Sequence, residues 1–446
     1  MRIHLIAIGG AVMHNMALAL KASGHAVSGS DDEIFEPSRS RLEKAGLLPA
    51  APGWFPEKIT TELDAVILGM HARADNPELL QAQHMGIPIY NFPEYVYEQS
   101  KQAIRVAICG SHGKTTITSM IMHVLKSVGK QFDYLVGAQL AGFETMVQFS
   151  NAPIMIIEGD EYFASPIDKR PKFLFYQPHI ALISGIAWDH FNVFPTYDNY
   201  VFQFRQLADS MTNDSLLVVQ EEDTEISNML AASSFSGRVI PYGTPDYSAT
   251  PAGLVVHVHG RDYPMHIFGR HNMQNMEGAR QVCAALGVET DDFFKAMQQF
   301  QGAAKRLEVL HQSSDHIIFR DFAHAPSKVR ATTDAVKEQF PAHRLVACLE
   351  LHTYSSLNKS FIDQYRNTMS SADVRIVYFN PHTVALKKLP EVLPEEVQSA
   401  FNDTELTVIN DSSTLINLLK SLNVANTHIL LMSSGNFDNL DLGILT

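Results

Sequence analysis

Apolar strand-like runs alternate with helix-like stretches along this 446-residue chain, which predicts an α/β protein of three domains with a phosphate-binding loop in the middle one. Three observations carry that expectation. Short buried-strand runs recur at 3–8, 105–109, 152–157, 180–184, 344–349 and 429–432. Two of them, 3–8 and 105–109, end in glycine-containing turns that open helices. The length suits two or three cores rather than one. The composition shifts place the boundaries at 1–103, 104–303 and 304–446.

Composition narrows the function classes. A hydrophobic share of 46% and a charged share of 18% are those of a soluble globular protein. The net charge is −14 and no lysine/arginine block is present, which argues against nucleic acid as a partner. Cys109, Cys283 and Cys348 lie far apart in apolar surroundings and read as buried thiols of a reducing compartment. The apolar run 3–8 is too short for a signal peptide and no segment approaches a membrane span, so the expected location is the cytoplasm.

In the first domain, strand 3–8 leads through Gly9-Gly10 into a helix over 13–23 that stops at Gly24. An acidic pair, Asp31-Asp32, follows about 20 positions after the turn, as in dinucleotide-binding units. Ala7 and Ala11 stand where glycines are wanted, so a plain βαβ unit accounts for the pattern nearly as well. A further strand (64–68), a helix (76–85) and a strand start at 88–90 continue the alternation.

The middle domain opens with Gly110-Ser111-His112-Gly113-Lys114-Thr115-Thr116, set between strand 105–109 and a helix over 114–128. Glycines let backbone N–H groups close around a polyphosphate, and the helix N-terminus adds its positive end. Lys114 is placed to reach β- and γ-phosphate oxygens, and the Thr115 hydroxyl to ligate Mg²⁺. The usual first glycine is replaced by Ile108. A tight strand-to-helix turn explains the glycines but not Gly-Lys-Thr-Thr, which points to ATP or GTP. Strand 152–157 ends in Glu158-Gly159-Asp160-Glu161, and strand 180–184 runs toward Trp188-Asp189-His190. Taken singly these are a solvated acidic turn and an ordinary histidine. Beside a phosphate loop, at the carboxyl ends of parallel strands, they become candidates for phosphate and metal binding.

Other features take plainer readings. His257 and His259 share a strand face on a hairpin surface, with no third metal ligand in view. Residues 291–300 form a helix core face, the prolines of 241–251 mark loop and turn, and Glu395-Glu396 is a solvated helix face. Strands at 317–319, 375–379 and 406–409 fill out the third domain.

At this point the residues resemble a known family, the Mur ligases, over essentially the whole chain. The resemblance rests on Gly110 to Thr116, Glu158-Gly159-Asp160-Glu161-Tyr162, Asp189-His190, Gly269-Arg270-His271-Asn272-Met273-Gln274-Asn275, Lys305-Arg306-Leu307-Glu308 and Asp321-Phe322-Ala323-His324-Ala325-Pro326. It implies a Rossmann-like N-terminal domain for a UDP-sugar, a central phosphate-loop ATPase domain, and a Rossmann-like C-terminal domain that helps bind ATP and the amine. It also implies the cofactors ATP and Mg²⁺. By position, Gly110, Ser111, His112, Gly113, Lys114, Thr115 and Thr116 would hold the ATP phosphates, with Thr115, Glu158 and His190 on metal. His271 and Asn272 match an adenine-contacting motif, and Arg306 and Asp321 the γ-phosphate and ribose contacts. Gly10, Met13, Ser30, Asp31 and His71 fall where the family grips the uridine nucleotide. Lys114, Glu158 and His190 are the expected catalytic set. Some branches carry a carbamylated lysine after the histidine; Arg205 stands in that neighbourhood here, as in branches that use muramate.

Within the family, the start Met1-Arg2-Ile3-His4, Gly29-Ser30-Asp31, residues 42–46 and the run from Asp160 through Asp168-Lys169-Arg170-Pro171-Lys172-Phe173 resemble the peptide-adding branch. That branch joins UDP-N-acetylmuramate to L-alanyl-γ-D-glutamyl-meso-diaminopimelate in peptidoglycan recycling. Residues 433–437 resemble it too. Glu350-Leu351-His352-Thr353-Tyr354-Ser355-Ser356 instead resembles the branch that adds L-alanine, and Ala325 replaces a usual second histidine. L-alanine is therefore the alternative amine. A nucleotide-dependent binding protein that makes no bond is the alternative of another class.

Overall fold

The computed structural model describes every residue except His71, Ala141, Asp189, His190, Asn192, Pro251, Ala252, 303–305, Asp441 and Thr446. The first unit contains β1 (Arg2–Ile6), α1 (Ala11–Ala22), β2 (Ala26–Ser30), α2 (Ser38–Lys44) and β3 (Ala65–Leu68). It continues with α3 (Pro77–Met85), β4 (Ile89–Asn91) and α4 (Phe92–Ser100). Its sheet is parallel in the order β2-β1-β3-β4. Local chemistry sets the helix ends. Asn76 caps α3 with Pro77 as its first residue, and Gly86 closes it at φ 66°. Asn91 and Glu94 form a reciprocal capping box on α4.

The central unit comprises β5 (Ile104–Cys109), α5 (Lys114–Ser127), β6 (Asp133–Leu135), β7 (Val147–Gln148), β8 (Ile154–Glu158) and β9 (Ile180–Ile183). There follow α6 (Tyr197–Ser210), β10 (Leu216–Gln220), α7 (Thr224–Ala231) and β11 (Arg238–Tyr242). The seven strands run β11-β10-β9-β5-β8-β6-β7, parallel except for β7. A three-stranded antiparallel sheet is added by β12 (Tyr247–Thr250), β13 (Gly253–Val258) and β14 (Arg261–Met265). Helices α8 (Arg270–Ala285) and α9 (Thr290–Met297) complete the unit. Alternation along β5 decides the layers. Val106 and Ile108 face α5, α8 and α9, burying Met120, Met276 and Phe293. Ala107 and Cys109 face Phe173, Tyr200 and Phe204, and that core runs without a break into Ile3, Leu5 and Met16 of the first unit.

The third unit holds β15 (Glu308–Gln312), β16 (Ile317–Asp321), α10 (Pro326–Gln339), β17 (Arg344–Leu351) and β18 (Val374–Phe379). It ends with α11 (Pro381–Leu386), α12 (Pro394–Phe401), β19 (Thr407–Ile409), α13 (Ser412–Leu422) and β20 (Thr427–Met432). The order is β15-β16-β20-β17-β18-β19, with only β15 antiparallel in this described sheet. Aromatic rings dock it on the central unit. Trp188 and Phe191 meet Phe361 at centroid distances of 5.9 and 6.1 Å. Phe268 meets Phe319 and Phe340 at 5.8 and 5.9 Å.

Several expectations need correction. The proline patch at 241–251 is only partly loop: Pro245 lies in the connection at 243–246, but Pro241 sits in β11, 247–250 form β12, and Pro251 lies outside the described residues. Pro241 is tolerated because β11 is an edge strand, where a missing N–H donor costs no ladder bond. His257 and His259 do not share a strand face, because β13 stops at Val258 and His259 turns at φ 50°. His257 is held by Asp262 and Ser248 instead. The first strand ends at Ile6, because Ala7 takes φ 66°, the left-handed geometry for which a glycine was wanted. Strands β6, β7, β10 and β15 were not anticipated. All three cysteines are buried and unpaired.

Trp188 reports on the docking of the third unit. In a Trp54→Phe background, Phe361→Ala should red-shift Trp188 emission and lower the urea midpoint, with a loss of about 3 kcal/mol for the buried ring. Unchanged emission would mean that this contact does not hold the two units together.

Candidate active site

The phosphate loop is clamped before any ligand enters. Gly110 has φ 123°, and a Cβ there would lie 2.3 Å from Ser184 Oγ. Gly113 has φ 75°, and its Cβ would lie 2.3 Å from Asn275 Oδ1. Only glycine satisfies both the left-handed backbone and the close approach. The Ser111 amide donates to the Gly185 carbonyl at 2.9 Å, and the Ala187 amide donates to Ser111 Oγ at 2.8 Å. Ile108, where a longer loop would begin with glycine, is fully buried within β5, so the loop starts at Gly110.

Lys114 opens α5 and its ammonium donates to the Gly110 carbonyl and to Glu161 Oε2, both at 2.7 Å. Glu161 is fully buried, and its other oxygen accepts the Tyr200 hydroxyl at 3.0 Å. Tyr200 also lies 2.8 Å from Ser111 Oγ. Burial works against the lysine's charge, but the carboxylates of Glu161 and Asp160 outweigh it and hold the ammonium above its ordinary range.

Thr115 donates to Glu158 Oε1 at 2.7 Å, and the Gly137 amide donates to Oε2 at 2.8 Å. A hydroxyl and a carboxylate held together make a hard oxygen pair of the kind that suits Mg²⁺. Among the described residues no group of three or more His, Cys, Asp or Glu side chains is arranged around a metal position.

His112 lies against Gly185, where a Cβ would come within 2.3 Å of its ring. His112 and His271 are half-buried on the cavity wall, each with a shielded, unpartnered Nδ1, and burial pushes both down to about 4. Nearby positive charge (Lys328 and Lys114 for His112, His112 for His271) acts the same way. Asn272 is fixed by donating to the Phe268 carbonyl at 2.9 Å. From the third unit, Arg306 stacks 4.9 Å over the Phe322 ring. Buried Asp321 accepts the Leu307 and Ala323 amides at 2.7 Å each, and burial raises its pKa against those bonds and Arg306.

A cavity of about 720 Å³ joins these groups. Of the residues expected at the nucleotide, it brings together Ser111, His112, Gly113, Lys114, Thr115, Thr116, Glu158, His271, Asn272, Arg306 and Asp321. Gly110 sits behind the loop. The first unit reaches the cavity through Val12 and Phe92. Gly10, Met13, Ser30 and Asp31 cluster apart from it, at the exits of β1 and β2. There Asp31 accepts the Gly9 amide at 2.7 Å, and Ser30 accepts Lys58 at 3.2 Å. Burial pushes Asp31 up to about 6, against the Gly9 hydrogen bond. His71 and His190 lie outside the described residues. Arg205 pairs with Asp209 on α6.

Sequence reasoning missed Tyr200, Asn275, Lys172 and the structural part of Glu161. The acidic turn, the 168–173 run and the 269–275 run contained three of them, but nothing local marks Tyr200.

Two outcomes follow. Glu161→Gln should leave the half-buried Lys114 without its hydrogen-bonded counter-charge and cost about 2 kcal/mol in urea unfolding; an unchanged midpoint would deny the pair any structural weight. Below the ordinary histidine value near 6.5, the unfolded chain binds protons that buried His112 and His271 refuse until about pH 4. Stability is therefore complete above pH 6.5 and falls as pH drops toward 4, by up to roughly 2 kcal/mol per histidine at pH 5. The double variant His112→Asn, His271→Asn should flatten that dependence, and an equal fall in both proteins would refute the assignment.

Models of one family match along the chain: Mur ligase family, catalytic domain, over 2–103; Mur ligase middle domain over 108–283; and Mur ligase, glutamate ligase domain, over 305–435. A UDP-N-acetylmuramate–L-alanine ligase of Roseiflexus sp. is 28% identical over 443 residues, covering 91% of this chain and 92% of the relative. A UDP-N-acetylmuramate–L-alanyl-γ-D-glutamyl-meso-2,6-diaminoheptandioate ligase of Haemophilus influenzae is 25% identical over 453 residues, covering 99% and 98%. In fold, the solved UDP-N-acetylmuramate–alanine ligase of Thermotoga maritima superposes with a TM-score of 0.70 at 22% identity, covering 98% and 97%.

Proposed function

The chain belongs to the Mur ligase family, whose members are ATP-dependent ligases forming carbon–nitrogen bonds, and we propose that its own reaction joins the lactyl carboxylate of UDP-N-acetylmuramate to the amino group of L-alanyl-γ-D-glutamyl-meso-diaminopimelate. The observation that carries the ligase chemistry is the single cavity in which the phosphate loop, Glu158 and residues of both flanking units face one another.

A carboxylate oxygen attacks the γ-phosphorus of ATP, ADP leaves, and an acyl phosphate forms. The amine then attacks the acyl carbon, loses a proton, and phosphate departs. The first step is mostly positioning and charge neutralisation. Lys114 exchanges the Gly110 carbonyl for phosphate oxygens while Glu161 keeps its ammonium in line. Thr115 and Glu158 would hold Mg²⁺, which neutralises charge on the phosphates. Asn272 and His271 would line the base, with Asp321 at the ribose and Arg306 at the γ-phosphate. Gly10, Met13, Ser30 and Asp31 would hold the uridine nucleotide. The docked third unit keeps water from the acyl phosphate.

The tripeptide as amine is supported by the segment from Asp160 to Phe173 and by the 433–437 loop. That loop is fixed where Ser433 and the Phe437 amide donate to buried Glu350. L-alanine is the second reading, carried by the run from Glu350 to Ser356, which meets the central unit where the Phe191 amide donates to Ser355 at 3.3 Å.

Phosphate release with Mg-ATP and UDP-N-acetylmuramate separates the readings. Release with the diaminopimelate tripeptide and not with L-alanine is expected. Release with L-alanine alone would overturn the amine, and silence with both would leave a nucleotide-binding protein that makes no bond. Lys114→Ala and Glu158→Ala should each lower turnover about 100-fold or more; wild-type rates in either would refute the assigned roles.

A further inference from the structure

A short segment of the first unit, from Gly53 to Lys58, crosses the exit of β2 and ends in a single helical turn, Pro56–Lys58. Two hydrogen bonds fix it there. The Gly53 amide donates to the Asp31 carbonyl at 2.7 Å, in an isolated bridge just past β2. The Phe55 amide donates to Glu78 Oε1, also at 2.7 Å. Glu78 is fully buried in the first turn of α3. Its other oxygen lies 3.2 Å from His4 Nε2, and His4 Nδ1 lies 2.9 Å from Ser28 Oγ. Burial works against the Glu78 charge, but its bonds with His4, Ser30 and the Phe55 amide hold the carboxyl below its ordinary range. One buried carboxylate thereby ties β1, β2 and the crossing segment together.

The result is a cation beside a ring at the end of β2. Lys58 donates to Ser30 Oγ at 3.2 Å, and its ammonium lies 4.3 Å from the centroid of the Phe55 ring. Both residues are half-buried. Among the described residues no carboxylate pairs with Lys58; its contacts are a neutral hydroxyl and a ring. An ammonium carries three donors, so a ligand can take one without breaking an ion pair.

Position decides what that cation meets. In a parallel α/β unit of this kind the phosphates lie on the turn after the first strand, and the nucleoside lies beyond the second. Lys58 is tied to Ser30, the last residue of β2, and not to the Gly9-Gly10 turn. Asp31 stands where such units hold a ribose hydroxyl. The base remains. Uracil carries a carbonyl at C4, an acceptor, where cytosine carries an amino group, a donor. Lysine has donors and no acceptor, so it bonds the carbonyl and opposes the amino group. Resting on the sugar-nucleotide site proposed above, we infer that Lys58 is the residue that selects uridine: its ammonium donates to the C4 carbonyl of the base, with the Phe55 ring as the apolar neighbour of that contact. Glu78 is a positioning residue, acting through Ser30 and the Phe55 amide.

The test is nucleotide binding by the full-length chain, read by calorimetry with saturating Mg-ADP so that the phosphate loop is already filled. Wild type should bind UDP about tenfold or more tightly than CDP, the weight of one charge-assisted hydrogen bond. Lys58→Met should lose that tenfold for UDP and hold CDP within about twofold, so that the two bind alike. Lys58→Gln, whose amide offers a donor or an acceptor, should also bind the two alike, and Lys58→Arg should keep the preference for UDP. A contact with the diphosphate, or a purely structural lysine, would lower both nucleotides together, and that outcome overturns the inference. So does a preference for UDP that survives in Lys58→Met, or a wild type that binds both nucleotides equally. In those cases turnover of UDP-N-acetylmuramate by the wild type leaves the function proposed above standing. A wild type that binds neither UDP nor UDP-N-acetylmuramate overturns both.

Discussion

An ion pair between half-buried Lys114 and fully buried Glu161 organises the centre of this molecule. Taking the carboxylate out of water is costly, and its partners offset that cost. The Gly110 carbonyl takes one ammonium hydrogen and the Tyr200 hydroxyl takes the second carboxylate oxygen. Ser111 then ties Tyr200 to the backbone after β9. Three segments distant in sequence, the turn after β8, the backbone after β9 and α6, thereby fix one loop, and Lys114 is held aimed and charged.

Packing carries that rigidity outward. The first unit shares a continuous apolar core with the central sheet, which makes Phe92 a dependable wall rather than a movable one. The third unit is attached differently, through aromatic edges around Trp188, Phe268 and Phe361 and hydrogen bonds that join Phe191 to Ser355, Gln339 to Thr250 and Tyr247 to Glu338. An interface of that kind can part and re-form at small cost, as a ligase that admits three substrates in turn requires. Catalytic order and domain anatomy thus have one physical origin: two units fused through their core, the third docked on rings.

Electrostatic arrangement follows the same logic. The chain is acidic overall, yet the cavity collects four cations among its described lining residues. Lys114 and Lys172 stand on separate carboxylates, so neither is drawn to the other's partner. His112 and His271, kept neutral by partial burial, line the cavity without adding charge to it.

What could be read from the chain alone was local. Short continuous apolar runs and the glycines after β1 and β5 announce strands and turns because their cause lies within a few residues. The run from Gly110 to Thr116 announces a phosphate site for the same reason. Pro241 misled, because whether a proline can sit in a strand depends on its being at the sheet edge, which no local pattern states. Ala7 adopts glycine-like geometry because the sheet around it demands the turn. Tyr200 meeting Glu161, Asn275 pressing on Gly113, and Lys172 reaching Phe92 were decided only by tertiary structure. Each is a contact between elements far apart in sequence, chosen by how sheets and helices stack, and its residue types carry no mark of the partner they will find.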